Sequence, residues 1–295
     1  ENVLGSEHEE VAISLNRLAR LYRLTGNYTK AEPLFVRAIS ILEKSNRATH
    51  VFLADTLNDL ALLYKATGDY AKEEPLYPRI ISICEKELGM DAPELAITLN
   101  NLALLYRVKG NLTEAESLYR RAIGIYEKAG LSNSLDFADA LNNLGVLYSK
   151  RNEYAQAEPL YLQALNIRQK VSGPSSREAA NSLTNLGALY RGKGDAAKAE
   201  EVYLRVLGIF QKVKDSSSTD LANVLHNLAF LYRQKGEYAK AEPLFRQALT
   251  IREKALNAKH PDLALSYNDL AKLYFEQGDF QQAMSHMIRA TDRAR

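Results

Sequence analysis

The sequence is poor in the residues that several protein classes depend on. It has one cysteine, Cys84, and no tryptophan, with only 8 prolines and 15 glycines in 295 residues. A single thiol excludes an internal disulfide framework and a cysteine-rich zinc site. No apolar run reaches 18 residues, so no membrane span is predicted. No charged-then-apolar leader opens the sequence. We therefore expect a cytoplasmic protein without a membrane partner.

The charge balance narrows the choice of partners. The 38 Lys and Arg residues nearly balance the 36 Asp and Glu residues, for a formal net charge of +2. A protein dominated by phosphate contacts would carry a larger positive charge, so nucleic-acid binding is not favoured. Hydrophobic residues make up 46% of the chain, which is enough for a core and argues against long disordered segments.

A spacing of 42 residues organises the whole sequence. Seven tyrosines follow it without a slip, namely Tyr22, Tyr64, Tyr106, Tyr148, Tyr190, Tyr232 and Tyr274. Alanine always stands ten residues before the tyrosine, leucine four and one before, and a small residue three before. Offsets of three, four and seven place these residues on one stripe of a helix, here called helix A. A period of this length predicts stacked structural repeats.

A second helix follows in each period. Four residues after the tyrosine comes a helix breaker, which is glycine in six repeats and Asn152 in the other. Helix B then carries a bulky row, namely Phe35, Tyr77, Tyr119, Tyr161, Tyr203, Phe245 and Met287. Two short helices cannot bury their apolar faces alone, so neighbouring repeats must stack. A second proline in helix B of repeat 2, Pro78, predicts a kink there.

The pattern resembles the tetratricopeptide repeat. Helix A matches that family at Leu15, Leu18, Ala19 and Tyr22, and helix B at Ala31, Phe35 and Ala38. The 42-residue period is similar to that of kinesin light chain and of bacterial signalling proteins, and Ile288–Asp292 resembles the last repeat before a CHAT protease. The resemblance implies an all-α, right-handed α-α superhelix of seven helix pairs. We expect a single solenoid domain over 1–295, with 1–7 as the tail of a preceding repeat and repeats at about 8–49, 50–91, 92–133, 134–175, 176–217, 218–259 and 260–295.

Signatures of catalysis are missing from the sequence. It contains no phosphate-binding glycine loop and no His-Glu-x-x-His motif. The five histidines lie in different repeats, which is poor spacing for a metal site. Cys84 falls in an apolar row of helix B and is interpreted as a buried thiol rather than a nucleophile. We expect no enzymatic activity and no cofactor.

Asparagines recur on the side of helix A that the core does not use. They stand six or five residues before the tyrosine, and the candidates are Asn58, Asn100, Asn101, Asn142, Asn143, Asn185 and Asn227. Asparagine is unfavourable inside a helix, so its repetition calls for a reason. An amide both donates and accepts, and can pair with the backbone of an extended peptide. The alternative is that these amides hold neighbouring repeats together.

Two further rows accompany the amides. The row one residue after the tyrosine is mostly basic, at Arg23, Lys65, Arg107, Arg191 and Arg233, and the row two before it is apolar at Leu104, Val146 and Phe230. The basic row is either a solvated stripe or an attraction for acidic groups. The apolar row is either an exposed floor or part of the packing between helices.

These rows lead to a functional hypothesis. We expect a non-catalytic scaffold that binds an extended peptide or protein segment in its concave groove, the segment being acidic with an apolar anchor. The alternative is an autoregulatory module whose groove holds another segment of its own polypeptide, as part of a larger protein. Nucleic-acid binding is a weaker hypothesis, because no exposed aromatic residues alternate with the basic ones.

Overall fold

The computed structural model describes residues 5–44, 50–213, 218–256 and 260–294. Within these ranges every regular element is an α-helix, which confirms the all-α prediction. None of these helices is long and apolar enough to cross a membrane. Of the predicted tail at 1–7, residues 1–4 lie outside the described ranges.

The chain divides into two compact units between Ser132 and Asn133. The first unit contains α1 (Glu9–Leu24), α2 (Tyr28–Lys44), α3 (His50–Thr67), α4 (Tyr70–Glu73), α5 (Leu76–Glu87), α6 (Pro93–Lys109) and α7 (Leu112–Lys128). The second contains α8 (Leu135–Lys150), α9 (Tyr154–Ser172), α10 (Arg177–Gly192), α11 (Ala196–Lys212), α12 (Thr219–Gln234), α13 (Tyr238–Ala255), α14 (Pro261–Gln277) and α15 (Phe280–Ala294). Helix A of each repeat is α1, α3, α6, α8, α10, α12 or α14.

The core of each unit consists of the periodic apolar rows. In the second unit, the leucines four residues before the tyrosine are at most 4% exposed, at Leu144, Leu186, Leu228 and Leu270. Leu186, Leu228 and Leu270 are covered because helix B of one repeat packs against helix A of the next, as α9 does on α10. In the first unit Leu18 is 42% exposed, because no helix B precedes α1 in the described ranges.

Hydrogen bonds from the periodic tyrosines tie successive repeats together. The hydroxyl of Tyr232 donates to Glu200 at 2.9 Å, and Lys235 donates to the other oxygen of the same carboxylate at 2.8 Å. The same tyrosine–glutamate pair recurs 32 residues apart at Tyr64–Glu32, Tyr190–Glu158 and Tyr274–Glu242. These bonds fix α3, α10, α12 and α14 against the helix B that precedes each of them.

Helix B of repeat 2 is broken, as the second proline predicts. Residues 74 and 75 separate α4 from α5. Pro75 alone does not explain the break, because Pro33, Pro159 and Pro243 occupy the same position within continuous helices. Pro78 is the difference: it has no N–H to donate to the carbonyl of Glu74, and its ring crowds that carbonyl.

Candidate functional site

A cleft in the second unit brings together three of the predicted binding residues. It lies between α8 and α10 and has a volume of about 380 Å³. Its lining consists of Val146, Ser149, Lys150, Tyr154, Tyr161, Asn185, Ala188, Leu189, Arg191 and Gly192. Three of these, Val146, Asn185 and Arg191, come from the apolar, amide and basic rows of the sequence. The α8–α10 cleft therefore combines an apolar surface with an amide and a cation.

Two glycines inside helices allow the tyrosines of this region to pack closely. A Cβ atom on Gly145 would lie 2.8 Å from the Tyr161 ring, and one on Gly187 would lie 2.6 Å from the Tyr203 ring. Glycine inside a helix costs about 1 kcal/mol relative to alanine. Tyr161 in turn forms part of the cleft wall, where its hydroxyl lies 3.2 Å from that of Ser149.

A third glycine, Gly192 at the end of α10, shapes the edge of the cleft. A Cβ atom there would lie 2.7 Å from the hydroxyl of Tyr154, which donates to Asn152 at 2.7 Å. Asn152 has φ 61°, the only positive φ at a non-glycine residue in the described part of the chain. The position of Tyr154 thus depends on the missing side chain at residue 192.

A polar pocket of about 300 Å³ adjoins the cleft at Asn185. Its lining is Asn142, Arg168, Asn181, Thr184, Asn185, Asp220 and Asn223. The side chain of Asn185 donates to Asn142 at 3.0 Å. Because Asn185 lines both depressions, a segment lying along α10 can contact the apolar and the polar surface at once.

The amide rows also connect neighbouring repeats. At three junctions the residue six before the tyrosine in one repeat pairs with the residue five before it in the next. In this way Asn142 pairs with Asn185, Asn16 hydrogen-bonds to the carboxylate of Asp59, and His226 lies 3.4 Å from Asp269. The pattern supports a stacking role for these positions, and ligand binding by the asparagines stays a prediction.

The predicted cations differ in the groups that they contact. Arg23 lies 3.7 Å from the carboxylate of Asp59, and Arg233 lies 2.5 Å from that of Glu276. Arg191 forms no ion pair within 4.0 Å among the described residues, although its charge acts on the carboxylate of Asp269. Its guanidinium instead stacks on the ring of Phe230, with Cζ 4.6 Å from the ring centroid.

Phe230 does not form an open apolar floor. Arg233 stacks on the same ring at 4.9 Å, so two guanidinium groups, those of Arg191 and Arg233, cover it. This cation–π contact holds the Arg191 guanidinium in place. Asn143, Asn227, Phe230 and Arg233 belong to the second unit but do not line the α8–α10 cleft.

The remaining predicted residues belong to the first unit. Asn58 in α3 donates to the Thr98 hydroxyl of α6 at 3.1 Å. Asn100, Asn101, Leu104 and Arg107 lie half-buried along α6.

Lys65, the last predicted cation of the first unit, is also half-buried. Burial lowers its pKa, while the nearby charge of Glu73 opposes that shift.

Two buried arginines in helix B were not anticipated from the sequence. Arg168 donates to the Ser182 hydroxyl at 2.6 Å and to Asp139 at 2.5 Å. Arg252 repeats the arrangement with Ser266 at 2.6 Å and Asn223 at 2.8 Å. The sequence does contain a sign of this arrangement. In repeats 4 and 6 only, an arginine stands in an apolar row of helix B and a serine follows it 14 residues later.

The groups considered for catalysis occupy unreactive environments. Cys84 is buried, and burial followed by the charges of Asp55 and Glu94 raises the pKa of its thiol to about 11. Burial lowers the pKa of His226 to about 4, helped by the charges of Arg252 and Arg191. In the described part of the chain, His, Cys, Asp and Glu form no group of three able to hold a metal ion.

The chain matches a known repeat family in sequence and a solved protein in structure. The family model for the tetratricopeptide repeat matches residues 1–44, 10–86, 52–128, 136–212 and 220–295. The chain is similar to BtubC (BKLC) from P. vanneervenii, with 27% identity over 84% of this chain and 91% of that one, and a TM-score of 0.61. No curated protein shows significant sequence similarity to it.

Two further structures show similarity in fold. A kinesin light chain repeat protein of P. anserina shares 24% identity, covers 70% of this chain and 99% of its own, and has a TM-score of 0.58. Aspartyl phosphate phosphatase F from Bacillus subtilis shares 16% identity, covers 94% of this chain and 69% of its own, and has a TM-score of 0.72. At these identities the likeness concerns the fold alone.

Proposed function

The chain belongs to the tetratricopeptide repeat family, a protein-interaction scaffold of the kinesin light chain-like type, and from that premise we propose that it binds an extended peptide or protein segment along α8 and α10 of its second unit, without catalysing a reaction. The observation that carries the proposal is the α8–α10 cleft, where Val146, Asn185 and Arg191 meet. Such a combination suits a segment with an apolar anchor and an acidic neighbour.

The proposed ligand contacts follow from the chemistry of the cleft. Val146 and Ala188 receive an apolar side chain. Asn185 has an amide oxygen that can accept from a backbone N–H of the ligand, because its amide nitrogen already donates to Asn142. Arg191 attracts a carboxylate. Exposed ion pairs contribute only about 0–1 kcal/mol, so the anchor and the amide supply most of the affinity and the arginine supplies selectivity.

A displayed library of random 12-residue peptides, screened against the full chain, tests the proposal. Replacing Ala188 by arginine fills the cleft, and we expect peptides selected on the native chain to lose binding. Ala197→Arg is the matched control, because Ala197 is exposed on α11 and lines neither depression. Both variants should keep the helical circular dichroism of the native chain.

Two results would contradict the proposal. One is a library that yields no binder, and the other is a set of binders that Ala188→Arg and Ala197→Arg affect equally. A charge test refines it: Arg191→Glu should shift the selected peptides away from acidic residues, since the reversed charge repels them. Unchanged selection after that substitution would remove Arg191 from the recognition site.

A further inference from the structure

Repeat 7 has an apolar outer surface, here called the end face. It consists of five large side chains of α14 and α15 that are 53–64% exposed, at Phe275, Phe280, Met284, Met287 and Ile288. Met287 belongs to the bulky row of helix B, which is at most 2% exposed in repeats 4, 5 and 6. In those repeats helix B also packs against helix A of the next repeat. In repeat 7, α15 packs against α14, and the described residues contain no following helix A.

The sequence of repeat 7 removes charge from this surface. Met284 stands where all six earlier repeats have glutamate, and Phe275 stands where five of those six have lysine or arginine. The stretch from Phe280 to Ile288 contains no Asp, Glu, Lys or Arg, whereas the matching stretch of every earlier repeat contains at least one. Because the outer surface of a terminal repeat is normally polar, an apolar one indicates an interaction surface.

The end face is presented on a helix that is fixed from behind. His286 is buried, and its ring stacks on that of Tyr274 with 5.4 Å between the centroids. On the exposed side, the rings of Phe275 and Phe280 meet edge to face at 5.5 Å and join α14 to α15. The exposed apolar side chains therefore belong to a packed helix pair and need little ordering before they bind a partner.

The end face does not match another repeat of the same kind. Methionine is only a weak acceptor, so Met284 cannot replace the glutamate that accepts from the next tyrosine. That bond occurs at Tyr64–Glu32, Tyr190–Glu158, Tyr232–Glu200 and Tyr274–Glu242. Phe275 likewise cannot form the ion pair that Arg233 makes with Glu276 of the following repeat. Two polar links between repeats are therefore missing from this surface.

We propose that the end face binds the end face of a second copy of this chain, through an antiparallel contact between the two α15 helices. Phe280, Met284, Met287 and Thr291 follow one another at intervals of four, three and four residues, which is the spacing of a seam between two packed helices. Antiparallel pairing places the large Phe280 opposite the small Thr291 of the other copy, and Met284 opposite Met287. The seam is uncharged, so two identical surfaces do not repel each other.

The exposed area is sufficient for a weak dimer. At 53–64% exposure, the five side chains offer roughly 550 Å² per copy, or about 1,100 Å² for two copies. Specific interfaces begin at about 1,000 Å², and those near this limit are weak. A two-fold contact uses the same surface on both copies and closes on itself. We therefore expect a reversible dimer with a dissociation constant on the order of 10 μM.

Sedimentation equilibrium of the full chain, from about 1 to 200 μM, tests the proposal. The mass should rise from 33.0 kDa towards twice that value as the concentration increases. Met284→Glu restores the residue of the six earlier repeats, and it should weaken dimerisation more than tenfold because it buries a charge in the seam. Leu204→Glu is the matched control, because Leu204 is 49% exposed on α11 and lies outside the end face. Both variants should keep the helical circular dichroism of the native chain.

A pair of opposite charges tests whether the two end faces meet each other. Met284→Glu and Met284→Lys should each be monomeric alone, since like charges then lie close together across the two-fold axis. An equimolar mixture of the two variants should recover the dimer, because the charges become complementary.

Three results would overturn the proposal. The first is a native chain that stays monomeric over the whole concentration range, and the second is an equal effect of Met284→Glu and Leu204→Glu. The third is a native dimer whose two charge variants remain monomeric when mixed, since the end face would then contact a different surface of the second copy.

Discussion

Replacing Gly187 by alanine should destabilise the second unit, although alanine is the better helix former. Gly187 lies inside α10, where an added Cβ atom would approach the Tyr203 ring to 2.6, 2.9 and 3.0 Å at three carbon atoms. These distances are shorter than van der Waals contact, and the ring is fully buried. The substitution therefore forces α10 and α11 apart.

Two opposing effects set the magnitude. Alanine gains about 1 kcal/mol over glycine in a helix interior. Overpacking a closed core costs about 1–3 kcal/mol. Because Ala61 and Ala103 accompany tyrosines in repeats 2 and 3, the helix pair can adopt a wider spacing, which limits the loss. We expect a net loss of stability of up to about 2 kcal/mol.

Gly208 is the matched control within the same unit. It lies inside α11, and an added Cβ atom there would have no neighbour within 4 Å. Gly208→Ala should therefore stabilise the chain by about 0.5–1 kcal/mol. Urea unfolding midpoints, together with amide hydrogen exchange in α10 and α11, compare the variants without assuming two-state unfolding. If Gly187→Ala and Gly208→Ala stabilise the chain equally, the close packing of Tyr203 does not explain the glycine.

Three further predictions follow from burial and hydrogen bonding. Burial and the hydrogen bond to Glu200 raise the pKa of Tyr232 to about 12. The stability that this group contributes is therefore complete below pH 10 and is lost as the pH rises towards 12. Absorbance at 295 nm should show that this phenol ionises late, and ionisation of all tyrosines near pH 10 would contradict the prediction. His226, with its pKa lowered to about 4, should stay neutral in NMR titration until well below pH 6.5, and stability should fall as the pH drops from 6.5 to about 4, because the unfolded chain then binds a proton that folded His226 does not. Leu186→Ala should cost about 2–5 kcal/mol and Asn185→Ala about 1 kcal/mol in urea unfolding, with equal costs arguing for a purely structural asparagine.

The fold was predictable because one period controls every repeat. The periodic apolar rows predict the positions of both helices in each repeat, and the row of glycines and Asn152 predicts the turns between them. Even the break in repeat 2 followed from one residue, Pro78, in the printed sequence. Such a pattern predicts the structure because each repeat contacts only its neighbours.

The proposed binding site was predictable only in part. The sequence identified Val146, Asn185 and Arg191 by their rows but could not rank them above equivalent residues. The ranking depends on cross-repeat partners such as Glu276, which neutralises Arg233. It also depends on how closely two helices approach, which Gly187 permits and which no single row reveals.

The asparagine rows show the same limitation more sharply. Their position on helix A was correctly identified as polar, yet the sequence left both roles open. The bond from Asn185 to Asn142 appears only when two repeats are seen side by side. The two asparagines are 43 residues apart, one more than the period. This spacing can be read from the sequence, but it indicates a hydrogen bond only once the stacking of the two repeats is known.

The ties between repeats have a mechanical consequence. The Tyr–Glu pairs join residues 32 positions apart, and the Asn142–Asn185 pair joins residues 43 apart. Within a unit under tension, the chain can therefore yield one repeat at a time instead of failing as a whole. Each step would release 42 residues, or roughly 150 Å of extended chain at about 3.5 Å per residue. Since re-forming a tie requires only short loop closure, the released length should be recovered quickly when the tension falls, as in an elastic element.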